Sequence, residues 1–185
     1  MSLQKSVCFM LVLLSALMGG CASTAPEAKF AKPMAADARI RASDTENVTL
    51  TAADTIKAAP EVHDRVKQKI TSRIDVRKLT NPPEAAPRSF EVEVFVSRYE
   101  KGNAFARAML AGVGQIHIDG TISVFQMPEH ELLEKFDMQK TFAWGGIYGG
   151  MTTIETIEDT FADAVAATVT GQTPPKTEPD KAAAH

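Results

Sequence analysis

The residues whose types and spacing suit chemistry fall in a few places. The run Gly145-Gly146-Ile147-Tyr148-Gly149-Gly150-Met151-Thr152 has the spacing of a phosphate-binding loop, with Met151 where the lysine belongs. Free amides ahead of a helix can hold an anion, so Gly145, Gly146, Gly149, Gly150 and Thr152 are the candidate anion or partner contacts. Without the lysine and an acidic partner strand, a nucleotide is not expected there. The run reads first as a flexible connection of left-handed turns. Gly112-Val113-Gly114 is no dinucleotide fingerprint, because His117 occupies the third glycine position and a strand follows. His117 and Asp119 lie two apart on one strand face and can supply two metal ligands. A site needs three or four, and no third is identifiable, so no metal and no cofactor are expected. Glu91 and Glu93 read as the wet face of a strand, and no carboxylate pair is singled out for acid–base work. There is no Gly-x-Ser-x-Gly elbow. The catalytic set is therefore empty, and no enzyme is expected.

Cysteine usage is more pointed. Residues 1–20 hold one charge, Lys5, then an apolar run from Val7 to Met18, then Gly19-Gly20. That order is a secretory signal, and its apolar run is shorter than the roughly 20 residues a spanning helix needs. Leu17-Met18-Gly19-Gly20-Cys21 resembles the lipobox of bacterial lipoproteins, with Met18 where Leu is more usual. The resemblance implies that the Cys21 thiol accepts a diacylglycerol. Cys8 leaves with the signal, so Cys21 is the lone mature thiol and no internal disulfide can form. The expected partner of Cys21 is a membrane, held through acyl chains such as palmitate. Two or more chains make that anchorage stable. Ala22, where an inner-membrane retention signal favours Asp, implies the periplasmic face of the outer membrane by resemblance to sorting rules.

These features sit on a chain whose cleavage removes 20 of 185 residues and leaves 165, enough for one domain with a core. Losing Lys5 leaves 19 basic against 23 acidic side chains, a net charge of −4. With no basic stripe, nucleic acid is not an expected partner. Residues 21–44 are rich in Ala, Lys, Pro, Ser and Thr and read as a flexible lipidated tether of about 25–30 Å mean reach. Residues 45–170 carry the periodic signals. Residues 171–185 hold three prolines and no aliphatic residue larger than Ala, and read as a disordered tail.

Within the domain, Val48–Thr51 reads as a weak first strand. Val62, Val66, Ile70 and Ile74 form a stripe on a helix over Pro60–Ile74. Phe90, Val92, Val94 and Val96 alternate with Glu91 and Glu93 as a strand. Ala104–Leu110 reads as two helical turns ending before Gly112. Ile116, Ile118, Ile122 and Val124 mark the next strand, with His117, Asp119, Thr121 and Ser123 opposite. Phe136, Met138, Phe142 and Trp144 mark another, with Lys140 breaking its pattern. Thr152-Thr153-Ile154-Glu155 predicts a capping box, with Thr152 as N-cap of a last helix buried through Ile154, Ile157, Phe161 and Val165. The expected fold class is α+β: a small antiparallel sheet of three to four strands, with two helices packed on one face, in the order β-α-β-β-β-α.

Tyr99-Glu100-Lys101-Gly102-Asn103-Ala104-Phe105-Ala106-Arg107-Ala108-Met109-Leu110-Ala111-Gly112-Val113-Gly114, with the later Trp144-Gly145-Gly146-Ile147-Tyr148-Gly149-Gly150, resembles the DUF4410 family over residues 45–170. The turn Met127–Glu131 departs from it by lacking a glycine. The resemblance implies a bacterial protein, often a lipoprotein, with no assigned activity and no site residues to carry over. The expected function is a non-enzymatic binding or assembly module in the cell envelope, meeting an envelope protein or the cell wall. The other reading is a hydrolase or small-ligand-binding periplasmic protein with a site built from dispersed residues.

Overall fold

The computed structural model describes residues 25–110 and 112–172. The expected signal peptide, Cys21 and the expected tail beyond residue 172 lie outside the described residues. The elements are β1 (Glu27–Lys32), β2 (Thr45–Ala52), α1 (Pro60–Lys78), β3 (Ser89–Glu100), α2 (Ala104–Met109), β4 (Ile116–Met127), β5 (Glu131–Phe142), α3 (Gly146–Met151) and α4 (Ile154–Val169).

One mixed sheet has the order β1-β5-β4-β3-β2. The α+β class stands, but the strand count and pairing differ from the expected three to four antiparallel strands. Five strands are present, and β2 runs parallel to β3. The cause is α1: it carries the chain back along the sheet, so β3 starts at the same end as β2. The β3–β4, β4–β5 and β5–β1 pairs are antiparallel.

The expected tether is corrected from residue 25 onward. β1 pairs with β5, Glu27 opposite Gln139 and Phe30 opposite Phe136, with the two rings 5.6 Å apart. An edge strand needs bonds on one side only and tolerates its lysines, so composition alone did not mark it. The following link is also pinned. Ile40 is fully buried. The Asp44 carboxylate accepts from the Arg41 and Arg88 amides, each at 2.9 Å, and from Arg88 Nη2 at 2.8 Å. Burial opposes the Asp44 charge, but these bonds outweigh it and hold the carboxyl below its usual range.

The alternating residues behave as their period dictates. Phe90, Val92, Val94 and Val96 of β3, Ile116, Ile118, Ile122 and Val124 of β4, and Phe136, Met138 and Phe142 of β5 face one core. The α1 stripe and Ile154, Ile157, Phe161, Val165 and Val169 of α4 cover it. Outside this apolar seam, α1 and α4 are laced by charge. Arg65 meets Glu158 at 2.7 Å, Arg73 meets Asp159 at 2.8 Å, and Arg77 meets Asp163 at 2.7 Å. The α1 arginines recur at helical spacing, so they line one face. Among the described residues, no helix is long and apolar enough to cross a membrane.

The last helix starts one residue later than the capping box predicted. Its N-cap is Thr153, and its side chain makes no capping bond. Thr152 instead ends α3, its hydroxyl donating to the Tyr148 carbonyl at 2.9 Å. The glycine run is not a string of left-handed turns either. It forms α3, and of its glycines only Gly146 has a positive φ, 70°.

Candidate functional site

The two glycine-bearing segments come together at one end of the sheet. After β3, Gly102 turns the chain at φ 64°, and Asn103 caps α2 by accepting the Ala106 amide at 2.9 Å. Asn103 N–H also donates to Gly114 O at 3.1 Å, closing the loop before β4. Arg107, near the end of α2, turns inward and is buried. Its Nε donates to Gly149 O at 2.9 Å, Nη2 to Thr152 O at 2.8 Å, Nη1 to Gly114 O at 2.7 Å and, more weakly, to Lys101 O at 3.4 Å. Burial lowers its pKa, and the guanidinium remains protonated because the arginine range lies so high. One side chain thus ties the 101–114 loop to the 149–152 segment. Gly149 must be glycine for this packing, since a Cβ there would meet Trp144 O at 2.0 Å.

This arrangement spends the polar groups of the candidate anion contacts Gly149 and Thr152. The Gly149 amide donates to Gly145 O and the Thr152 amide to Tyr148 O, while both carbonyls accept from Arg107. Gly145, Gly146 and Gly150 stand beside them in the same short helix and its start. What this end offers outward is apolar. Phe105, Met109, Leu110, Ile147, Tyr148 and Met151 project into solvent, Ile147 at 82% exposure and Met151 at 75%. No charged residue occurs in 143–154, and the one charge in 102–115 is the buried Arg107.

The sheet face away from the helices is polar. His117 and Asp119 lie on it as predicted. His117 Nδ1 is 3.0 Å from Thr141 Oγ1, and burial together with Arg98 lowers the imidazole pKa. Burial raises Asp119. Thr121 donates to Asp137 at 2.6 Å. A different trio lies closer to a ligand set: Glu91, Glu93 and His130 offer atoms within 4.8 Å of one another. His130 stacks on Phe125 with centroids 4.1 Å apart. The i, i+2 spacing of the glutamates was visible in the sequence. The hairpin that swings His130 over them was not. Two carboxylates and an imidazole form a donor set suited to a divalent cation, on an open surface.

Of the deeper ionisable groups, the sequence marks only Lys140, as the break in its strand's pattern. Glu158 is fully buried, yet accepts from Arg65 at 2.7 and 2.9 Å and from the Tyr99 hydroxyl at 2.6 Å, with Lys69 Nζ at 3.1 Å. Burial pushes its pKa up, but these partners outweigh it and leave it low. Burial raises Glu134 on β5 to about 7, and lowers Lys140 to about 8. A small apolar cleft between β2, β3 and α1 is lined by Leu50, Ile56, Val66 and Val96, with His63 and Tyr99 at its wall.

The family model "Domain of unknown function (DUF4410)" matches residues 29–146, beginning inside β1. Two solved structures of PelC from Paraburkholderia phytofirmans, a variant and PelC itself, are similar in fold. The variant gives a TM-score of 0.52 at 9% identity, over 78% of this chain and 97% of that one. PelC itself gives 0.51 at 8%, with the same coverage. Both are dodecamers. Protein XCC0632 from Xanthomonas campestris, of family DUF330, gives 0.47 at 12%, over 76% and 89% of the two chains. No curated protein matches the chain.

Proposed function

This chain belongs to the DUF4410 family, and we propose that it is an envelope lipoprotein, acylated on Cys21, whose domain is a non-enzymatic binding and assembly module. The observation that carries the reading is the lipobox-like Leu17-Met18-Gly19-Gly20-Cys21 placed just six residues ahead of the first strand at Glu27. Two further observations support the binding half. The strongest buried ionic groups, Asp44, Arg107 and Glu158, are engaged in holding segments together. The apolar end, by contrast, is exposed, and contiguous exposed apolar surface marks an interaction site. The dodecameric state of PelC, which is similar in fold, supports assembly from repeated copies; the proposed platform, resting on Ala22 after Cys21, is the periplasmic face of the outer membrane.

Palmitate labelling of the wild type and Cys21→Ser tests the anchor: label on the wild type alone is expected, and equal label or none on both overturns it. Crosslinking in intact cells followed by native mass measurement tests the module. A homomeric ladder or a captured envelope protein is expected; a monomer carrying a small molecule overturns it. That last outcome belongs to the ligand-binding reading, which the apolar cleft favours, because His63 Nε2 is buried there without a hydrogen-bond partner.

A further inference from the structure

The exposed apolar end and the anchor point lie at the same end of the sheet. β1 runs antiparallel to β5 with Glu27 opposite Gln139, so β1 begins towards the end of the sheet where Thr141 and Phe142 close β5. At that level Phe142 pairs with Ile116 and His117 with Glu100. These are the strand ends from which α2 and α3 spring. From Cys21 to Ala25 is four residues, which span at most about 14 Å. An acylated Cys21 therefore holds this end of the domain, and not the other, against the bilayer.

Both ends carry ion pairs, the exposed Arg98–Glu100 pair lying at the near one, but α2 and α3 themselves add only the buried Arg107. The far end is ionic, with Arg41–Glu84, Arg88–Asp44 and Lys78–Glu46 pairs. The near end presents Phe105, Met109, Leu110, Ile147, Tyr148 and Met151. Lys101, exposed at its rim, suits a phosphate headgroup. Apolar side chains beside an aromatic ring and a rim cation are the composition of an interfacial contact, which settles about 5–10 Å into the headgroup boundary.

We propose that this end, built by α2 and α3, inserts into the lipid surface that carries the Cys21 anchor, so that the domain stands upright with its ionic end away from the membrane. The inference rests on the lipoprotein reading, and the experiment separates the two. The chain has one tryptophan, Trp144, whose ring lies 6.2 Å from that of Tyr148. Its emission reports contact with phosphatidylethanolamine–phosphatidylglycerol vesicles whose acyl chains carry bromine near the headgroup. Flotation of the same vesicles reports the anchor.

Wild type is expected to float and to lose Trp144 emission. An Ile147→Ser/Met151→Ser variant is expected to float through its acyl chains and keep its emission. Cys21→Ser protein is expected to bind the vesicles weakly and with only slight dependence on salt, since the patch itself is apolar and Lys101 is a single rim cation. Adding the two serines should weaken that binding at least tenfold. If wild type floats no better than Cys21→Ser, the lipoprotein reading fails, and quenching of Cys21→Ser at high lipid still scores the insertion. Wild type that floats with undiminished emission overturns the insertion. So does an oligomer with unquenched Trp144 that the two serines dissociate, because the patch then joins copies of this chain.

Discussion

Replacing Arg107 with methionine is the sharpest perturbation the structure offers. The change keeps an unbranched apolar stem and deletes the guanidinium. Three carbonyls lose donors at 2.7 to 2.9 Å; Gly114 keeps the Asn103 amide, while Gly149 and Thr152 are left stranded. A buried polar group stranded in this way costs about 1–3 kcal/mol. Both helices above the site are open to solvent, so water can reach part of it, and the lower end of the range applies. Two groups at that end come to about 2 kcal/mol. At about 2–4 °C per kcal/mol for a domain of this size, the melting midpoint should fall by roughly 4–8 °C. Arg107→Lys keeps the charge but presents a point where a fork is needed, and should recover less than half of the loss. Calorimetry gives the midpoint, and Trp144 emission shows whether the 144–152 segment loosens before the sheet melts. An Arg107→Met protein that melts within about 2 °C of the wild type, with unchanged emission, refutes the reasoning.

Gly149→Ala should disturb the same segment by a different route, because its Cβ would meet a backbone oxygen at 2.0 Å; Trp144 emission should shift as in Arg107→Met. Gly112→Ala meets nothing within 4 Å but sits at φ 80°, so urea titration should show only the left-handed strain of about 1–2 kcal/mol. Glu158 has a folded pKa below its usual 4.5, so its ion pairs stabilise the fold above that value and lose their effect as pH falls through the lowered one. Glu158→Gln should therefore have a lower urea midpoint than wild type at neutral pH, and the gap should close in acid. Glu134 has the opposite sign: raised from 4.5 to about 7, it favours folding most below 4.5 and loses stability as pH climbs towards 7. Glu134→Gln should gain up to about 3 kcal/mol at alkaline pH and little in acid; an equal effect at both pH values would contradict the assignment.

What the sequence made legible was whatever a period encodes. The α1 stripe Val62, Val66, Ile70 and Ile74 and the alternations from Phe90 and Ile116 face the core as read. β1 was illegible because an edge strand buries little and its Ala, Lys and Pro neighbourhood has the composition of a linker. The parallel β2–β3 pair was illegible because local pattern carries no strand direction. Arg107 lay between two alanines in a short helix, where an arginine ordinarily faces water; its flanking Gly102 and Gly114 were the available hint. Glu158 hid in the same way, since a carboxylate on an apolar helix face is readable only with Arg65, Lys69 and Tyr99 beside it.

The Arg107 hub also accounts for how an apolar surface persists in a folded domain. Helices of six residues such as α2 and α3 do not hold themselves in water. Ordinarily such helices would be fixed by burying their apolar side chains, which would close the surface. Here α2 and α3 lie against one another and are pinned from beneath by one cation and a set of main-chain carbonyls. Their outward side chains are thereby released from a packing role. Ile147 and Met151 can stay apolar and exposed because the fold does not depend on them. The glycine segments thus belong to the scaffold, and the residues between them form the surface. With Cys21 acylated as proposed, that surface is held where lipid is the nearest apolar medium.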